Sequence, residues 1–171
     1  MLGVLPLDYD ECYNIFMNIY FSGISGTGIG PLAEMAKDAG YEVFGSDLQE
    51  GLVTPELRAK GIEIAIGEQD GSFLRKKMEE NGIDWLVYTS SLPKDHPELT
   101  LAKSLGIKSS KRDEFIAELV KQKELKMVAI AGTHGKTTTT SMIIWACHKL
   151  NIEISYLVGT TLPWANSGKF V

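Results

Sequence analysis

Residues 127–140, Met-Val-Ala-Ile-Ala-Gly-Thr-His-Gly-Lys-Thr-Thr-Thr-Thr, admit few folds: a buried strand over Val128–Ala131, a glycine turn, then Lys136 and Thr137 opening a helix. Gly132 and Gly135 let the backbone approach an anion, and the first N–H groups of the helix point at it with the positive end of the helix dipole behind them. That is a cradle for a nucleotide triphosphate. Its candidate residues are Gly132, Thr133, His134, Gly135, Lys136, Thr137 and Thr138, with Lys136 and Thr137 as the catalytic pair. Lys136 would neutralise the β/γ-phosphates of ATP and the Thr137 hydroxyl would ligate Mg²⁺. The strict pattern G-x-x-x-x-G-K-[ST] needs a glycine at position 130, where Ile130 stands, so an ordinary strand, turn and helix is the alternative. His134 either faces the nucleotide or fills a tolerant loop position.

A second glycine loop lies near the other end. Asn18–Phe21 is β-prone and runs into Gly23–Gly30; Pro31 suits a first helical turn, and Leu32, Met35, Ala36 and Ala39 form one apolar stripe closed by Gly40. Strand, glycine turn and helix suit a diphosphate, so Ser25, Gly26, Thr27, Gly28, Ile29 and Gly30 are candidate substrate-binding residues. Gly26-x-Gly28 begins a dinucleotide fingerprint, but Pro31 occupies the third glycine position. A second strand, Tyr41–Gly45, ends in Ser46 and Asp47, and an acidic residue about twenty positions past such a loop usually grips a ribose hydroxyl. A solvated turn or a helix cap is the other reading of Asp47.

The chain between the loops alternates: helix Thr54–Lys60, strand Ile62–Ile66, helix Phe73–Glu80, strand Trp85–Tyr88, helix Pro97–Leu105, short strand Ile107–Ser109, helix Asp113–Val120. Alternation of this kind makes a parallel sheet. The fold class expected is α/β: a Rossmann-like parallel-sheet domain over 17–123, then the truncated start of a phosphate-loop ATPase domain over 124–171. The charged stretch Lys121–Lys126 is the boundary. Residues 1–16 read as an acidic leader, artefactual or loosely attached, with Met17 as the true start.

At 44% hydrophobic and 23% charged the chain can bury a sizeable core. A net charge of −5 excludes a broad basic face for nucleic acid or membrane surfaces. No apolar run is long enough to span a bilayer, and residues 1–16 lack a signal-peptide pattern. Two cysteines, Cys12 and Cys147, build no disulfide framework, which fits a cytoplasmic location. Cys147-His148 reads as helix packing rather than a zinc pair, and His96 before Pro97 as a helix cap or solvent-exposed residue.

The run Gly132–Ser141 resembles the ATP loop of the Mur ligases, G-T-x-G-K-[ST], which also lacks the early glycine. Gly23–Gly30, Gly45-Ser46-Asp47, Thr89-Ser90-Ser91-Leu92-Pro93 and Asp95-His96-Pro97-Glu98-Leu99 are similar to stretches of the alanine-adding branch of that family, so the resemblance covers Met17 to the last residue.

The resemblance implies the N-terminal part of a three-domain enzyme of peptidoglycan precursor synthesis. Gly26, Gly28 and Gly30 would face the diphosphate of UDP-N-acetylmuramate, Asp47 the uridine end, and Ser90 and Ser91 the rest of the substrate. The lactyl carboxylate would attack the γ-phosphate of ATP, releasing ADP and giving an acyl phosphate; the amine of L-alanine, bound by a later domain, would then displace phosphate. Two departures stand out: Gly67-Glu68 replaces the family's Gly-His, leaving a glutamate near a diphosphate unless it points away, and Ser91 replaces a small apolar residue. A ligase that joins a ready-made tripeptide to the same sugar nucleotide, or a non-catalytic nucleotide-binding Rossmann module, are the rival readings. The 171 residues by themselves are expected to bind the UDP-sugar and not to ligate.

Overall fold

The structure, a computed structural model, describes residues 17–171; the expectation of a leader lies outside the described residues. Five βα units come first: β1 Asn18–Ser22, α1 Gly30–Asp38, β2 Glu42–Asp47, α2 Thr54–Ala59, β3 Glu63–Ile66, α3 Ser72–Asn81, β4 Trp85–Tyr88, α4 Pro97–Ser104, β5 Lys108–Lys111 and α5 Arg112–Gln122. A long helix, α6 Lys136–Lys149, and a two-stranded antiparallel ribbon, β6 Tyr156–Leu157 with β7 Gly168–Lys169, follow.

The five strands pair in parallel in the order β3-β2-β1-β4-β5. Strand direction fixes the layers, because successive side chains point to opposite faces. Ile19, Phe21, Val43, Trp85 and Val87 pack with α1 and α5 on one face; Tyr20, Phe44 and Leu86 pack with Leu74 of α3 and Ala102 of α4 on the other. Phe115 is the keystone of the first face, edge-on to Phe21 at 5.7 Å and to Trp85 at 4.9 Å between ring centroids. Such pairs add about 0.5–1.5 kcal/mol beyond area burial. Since the chain runs outward from β1 to β3 and then returns to β4 on the other side, the sheet reverses its winding between β1 and β4. In open α/β sheets that switch point is where ligands bind.

Three expectations need correction. Residues 127–131 form no strand and Val128 is 84% exposed; no strand among the described residues pairs with this segment, although β6 lines a cavity with Met127 and Val128. The last strand of the sheet is Lys108–Lys111 rather than Ile107–Ser109. Its polar sequence hides it, yet Ser110 is buried and accepts a hydrogen bond from Trp85 Nε1 at 2.8 Å. Helix α5 starts at Arg112 and runs to Gln122, longer than Asp113–Val120. The remaining elements fall within a residue or two of expectation, and Pro31 lies in the first turn of α1.

The ribbon returns to the first helix. Gly168 approaches α1 so closely that a Cβ there would stand 1.8 Å from the Pro31 carbonyl oxygen. Buried Glu34 on α1 accepts hydrogen bonds from Ser167 Oγ at 2.9 Å and Gly168 N at 2.7 Å.

Candidate functional site

A cleft of about 630 Å³ opens at the switch point, lined by Gly23, Gly26, Gly28 and Ile29 after β1, Asp47 and Leu48 after β2, Gln69 after β3, Thr89–Leu92 after β4, and Lys111–Asp113 at the start of α5. Its floor is the first glycine loop. Gly23 and Ile24 donate their backbone N–H groups to the Ser46 carbonyl at 2.9 and 3.0 Å, and Gly26, Ile29 and Gly30 donate within the loop. Ser25 N–H donates to Asp47 Oδ2 at 2.9 Å. The N–H groups of Thr27 and Gly28 donate to no described residue. Two free amides on a loop that opens a helix are what an anionic ligand needs.

Asp47 therefore holds the loop and lines the cleft at once, and its Oδ1 accepts the Gln49 N–H of the following turn at 3.5 Å. Gly26, Gly28, Ile29, Ser90 and Ser91 also line the cleft. Ser25, Thr27 and Gly30 do not. Ser25 is buried beneath the loop, its Oγ accepting from Thr54 Oγ1 at 3.0 Å. Gly30 is buried where a Cβ would meet Val53 Cγ2 at 2.3 Å, so it serves packing rather than a ligand. Thr27 sits exposed at the tip. Glu68 is exposed and off the cleft wall, and its neighbour Gln69 takes the wall position, which removes the expected clash with a diphosphate.

Sequence reasoning missed the cationic edge. Arg112 donates to the Gly28 carbonyl at 3.4 Å, and Lys111 lines the cleft beside it. The missing signal was the extent of β5: with that strand ended at Ser109, neither residue stood at a strand's carboxyl end. Asp113 shares this edge with the two cations, and Asp47 and Gln69 line the side after β2 and β3.

Beneath the floor Glu98, 1% exposed, accepts from Tyr20 Oη at 2.6 Å, Ser22 Oγ at 2.5 Å, Ser46 Oγ at 2.6 Å and Gln69 Nε2 at 3.3 Å. Burial, then the neighbouring Glu98 charge, pushes the Tyr20 hydroxyl far above its ordinary range. His96, next door, is half-buried and gives α4 no side-chain cap, contrary to expectation; its Nδ1 has no partner among the described residues.

The second glycine loop is exposed throughout Gly132–Thr138. Gly135, at φ +82°, caps α6, and the N–H groups of His134, Gly135, Lys136, Thr137 and Thr138 donate to no described residue. Lys136 Nζ curls over the loop onto the carbonyls of Gly132 and Thr133. The ammonium thus sits over the turn, beside five unpaired amides. Thr133 contributes that carbonyl; the Thr137 hydroxyl has no partner among the described residues. None of residues 132–138 lines the first cleft. Farther along α6, His148 stacks on Trp164 at 5.6 Å, and Cys147 is a half-buried free thiol.

Comparison with known proteins agrees with this geometry. A family model described as the Mur ligase family, catalytic domain, matches residues 18–124, more than half of the chain. The UDP-N-acetylmuramate–L-alanine ligase of Caldicellulosiruptor saccharolyticus is 40% identical over 144 residues, 84% of this chain and 30% of that relative. Among solved structures, the UDP-N-acetylmuramate–alanine ligase of Thermotoga maritima superposes with a TM-score of 0.77 at 26% identity, covering 90% of this chain and 34% of its own. The UDP-N-acetylmuramate:L-alanyl-gamma-D-glutamyl-meso-diaminopimelate ligase of Neisseria meningitides gives 0.76 at 28%, covering 90% and 46%. The chain thus spans about a third of the length of the curated relatives it matches. With a glycine loop at the switch point of a parallel sheet, a second opening α6, and the family match across the first of them, this chain belongs to the Mur ligase family.

Proposed function

We propose that this chain carries the UDP-sugar-binding domain and the beginning of the ATP-binding domain of an ATP-dependent ligase that joins L-alanine to UDP-N-acetylmuramate in peptidoglycan precursor synthesis. The observation that carries the reading is the cleft at the switch point: the free Gly28 amide with Arg112 and Lys111 on one side for a diphosphate, Asp47 and Gln69 on the other for the hydroxyl and N–H groups of a nucleoside. Ser90 and Ser91 would face the sugar end.

Gly132–Thr138 fits a triphosphate on the donor set just described, and Thr137 would ligate Mg²⁺ through its unpaired hydroxyl. When bound, ATP with Mg²⁺ supplies the phosphoryl group that activates a carboxylate. Lys136 would neutralise charge on the transferring group and the helix amides would bind its oxygens, a contribution of positioning and electrostatics. His134 would lie at the mouth of the loop. L-Alanine would bind on a part of the enzyme beyond these residues, and a cytoplasmic setting belongs to the same reading. Isolated, the 171 residues would bind the UDP-sugar without ligating.

Calorimetric titration with UDP-N-acetylmuramate, NAD and Mg-ATP tests this. Selective binding of the UDP-sugar, weakened in Asp47→Ala, supports the reading; NAD binding in its place would make the chain a dinucleotide module. Alanine-dependent ADP release from the 171-residue chain would overturn the expectation of inactivity. The likeness to the Neisseria ligase keeps one rival, a tripeptide in place of L-alanine, which co-substrate competition in the longer enzyme distinguishes.

A further inference from the structure

Gln69 is 7% exposed, yet it belongs to the cleft wall, and with Ser46 and Glu98 it also borders a smaller cavity of about 390 Å³. Its Nε2 donates to Ser46 Oγ at 2.8 Å and lies 3.3 Å from Glu98 Oε2 and 3.4 Å from Ser22 Oγ. An amide oxygen turned toward a carboxylate would meet only lone pairs, so Glu98 fixes the side chain with nitrogen inward and oxygen outward. That oxygen accepts no hydrogen bond from a described residue, and it is not among the sealed, unpartnered atoms.

We infer that Gln69 is a specificity-determining residue of the cleft, its Oε1 accepting a hydrogen bond from a hydroxyl or imide N–H of the nucleoside part of the ligand, and that Glu98 is the positioning residue that enforces this polarity. The inference rests on the reading of the cleft as a sugar-nucleotide site. A diphosphate offers acceptors only and cannot pair with Oε1, so Gln69 discriminates on the nucleoside and leaves phosphate affinity alone. Four elements converge on the one carboxylate: β1 through Tyr20 and Ser22, β2 through Ser46, the β3–α3 turn through Gln69, and α4 through Glu98 itself. The amide is thereby held before any ligand arrives, and a preorganised acceptor discriminates better than a mobile one.

The test is calorimetry on the whole chain with UDP and with inorganic pyrophosphate. Gln69→Met, similar in size and without the acceptor, is expected to weaken UDP by about tenfold and leave pyrophosphate unchanged. Glu98→Gln, which lets the Gln69 amide turn over, is expected to weaken UDP in the same selective way. On the wild-type protein, 3-methyl-UDP or 2′,3′-dideoxy-UDP is expected to lose a similar factor, a reading that needs no variant to fold. UDP affinity unchanged in folded Gln69→Met, or undiminished for both analogues, overturns the inference while the sugar-nucleotide site stands. Wild-type protein that binds neither UDP nor UDP-N-acetylmuramate overturns both.

Discussion

Ser167 donates its hydroxyl to Glu34 Oε2 at 2.9 Å, joining the ribbon near the end of the chain to the first helix after the glycine loop. Glu56 Oε2 accepts the Ser167 backbone N–H at 3.2 Å and lies 3.2 Å from the same hydroxyl, so two carboxylates meet at one serine. Burial, with a smaller contribution from Glu56, pushes the Glu34 carboxyl up to about 7 from an ordinary 4.5, against the lowering effect of the Ser167 and Gly168 hydrogen bonds. Its Oε1 is buried without a partner among the described residues.

The folded chain therefore holds the Glu34 proton more tightly than the unfolded one. Glu34's contribution to stability is fully present below pH 4.5 and is lost as pH rises through about 7. Thermal melts of wild type and Glu34→Gln across pH 4.5–8 are expected to converge at the acid end, with the wild type falling below the variant as pH rises. Parallel curves would show that Glu34 titrates normally.

Gly168→Ala places a Cβ against the Pro31 carbonyl, a backbone atom that cannot swing aside. A loss of about 1–3 kcal/mol is expected from overpacking, read as a lower urea midpoint. Protease cleavage within 156–170 should accelerate.

Glu98→Ala leaves the hydroxyls of Tyr20, Ser22 and Ser46 and the Gln69 amide without their common acceptor. A cost of about 3 kcal/mol or more is expected, since each buried donor stripped of its partner costs about 1–3 kcal/mol before rearrangement. Chemical denaturation measures it, and Glu98→Gln should recover part of the loss.

Arg112→Ala removes an exposed guanidinium at the cleft edge. Stability should change by no more than about 0.5 kcal/mol. UDP binding should weaken by about tenfold and lose part of its dependence on salt, as expected of an ion pair with a phosphate. Titrations at two ionic strengths decide it.

Lys136→Ala is expected to abolish Mg-ATP binding while leaving the UDP titration unchanged, because no residue of 132–138 lines the first cleft. Coupled loss of both ligands would place the two loops in one site.

Much of this was legible in residue order. Ile19 and Phe21 against Tyr20, and Trp85 and Val87 against Leu86, follow from the period of a strand, and runs such as these, apolar on both faces, require helices on each side of a parallel sheet. The two glycine loops were legible because strand, Gly-rich turn and helix leave amides with nowhere to donate. Asp47 was legible from its distance along the chain, although its bond to the Ser25 amide was not.

Other features were decided only by the tertiary structure. Lys108–Lys111 has no apolar pattern and becomes a strand because β4 lies alongside, with Trp85 donating to Ser110. Arg112 reaches Gly28 only once that strand has delivered it to the cleft. Val128–Ala131 shows the converse: β-prone residues remain without a ladder where no strand among the described residues pairs with them. Glu98 looks like an ordinary first-turn acid of α4 in the sequence and is in fact the acceptor beneath the cleft. Local patterning fixes which backbone segments are able to form strands and helices, since period and glycine placement act over a few residues. Which polar groups end up facing one another is set by packing across the sheet, where partners lie 22 to 84 positions apart.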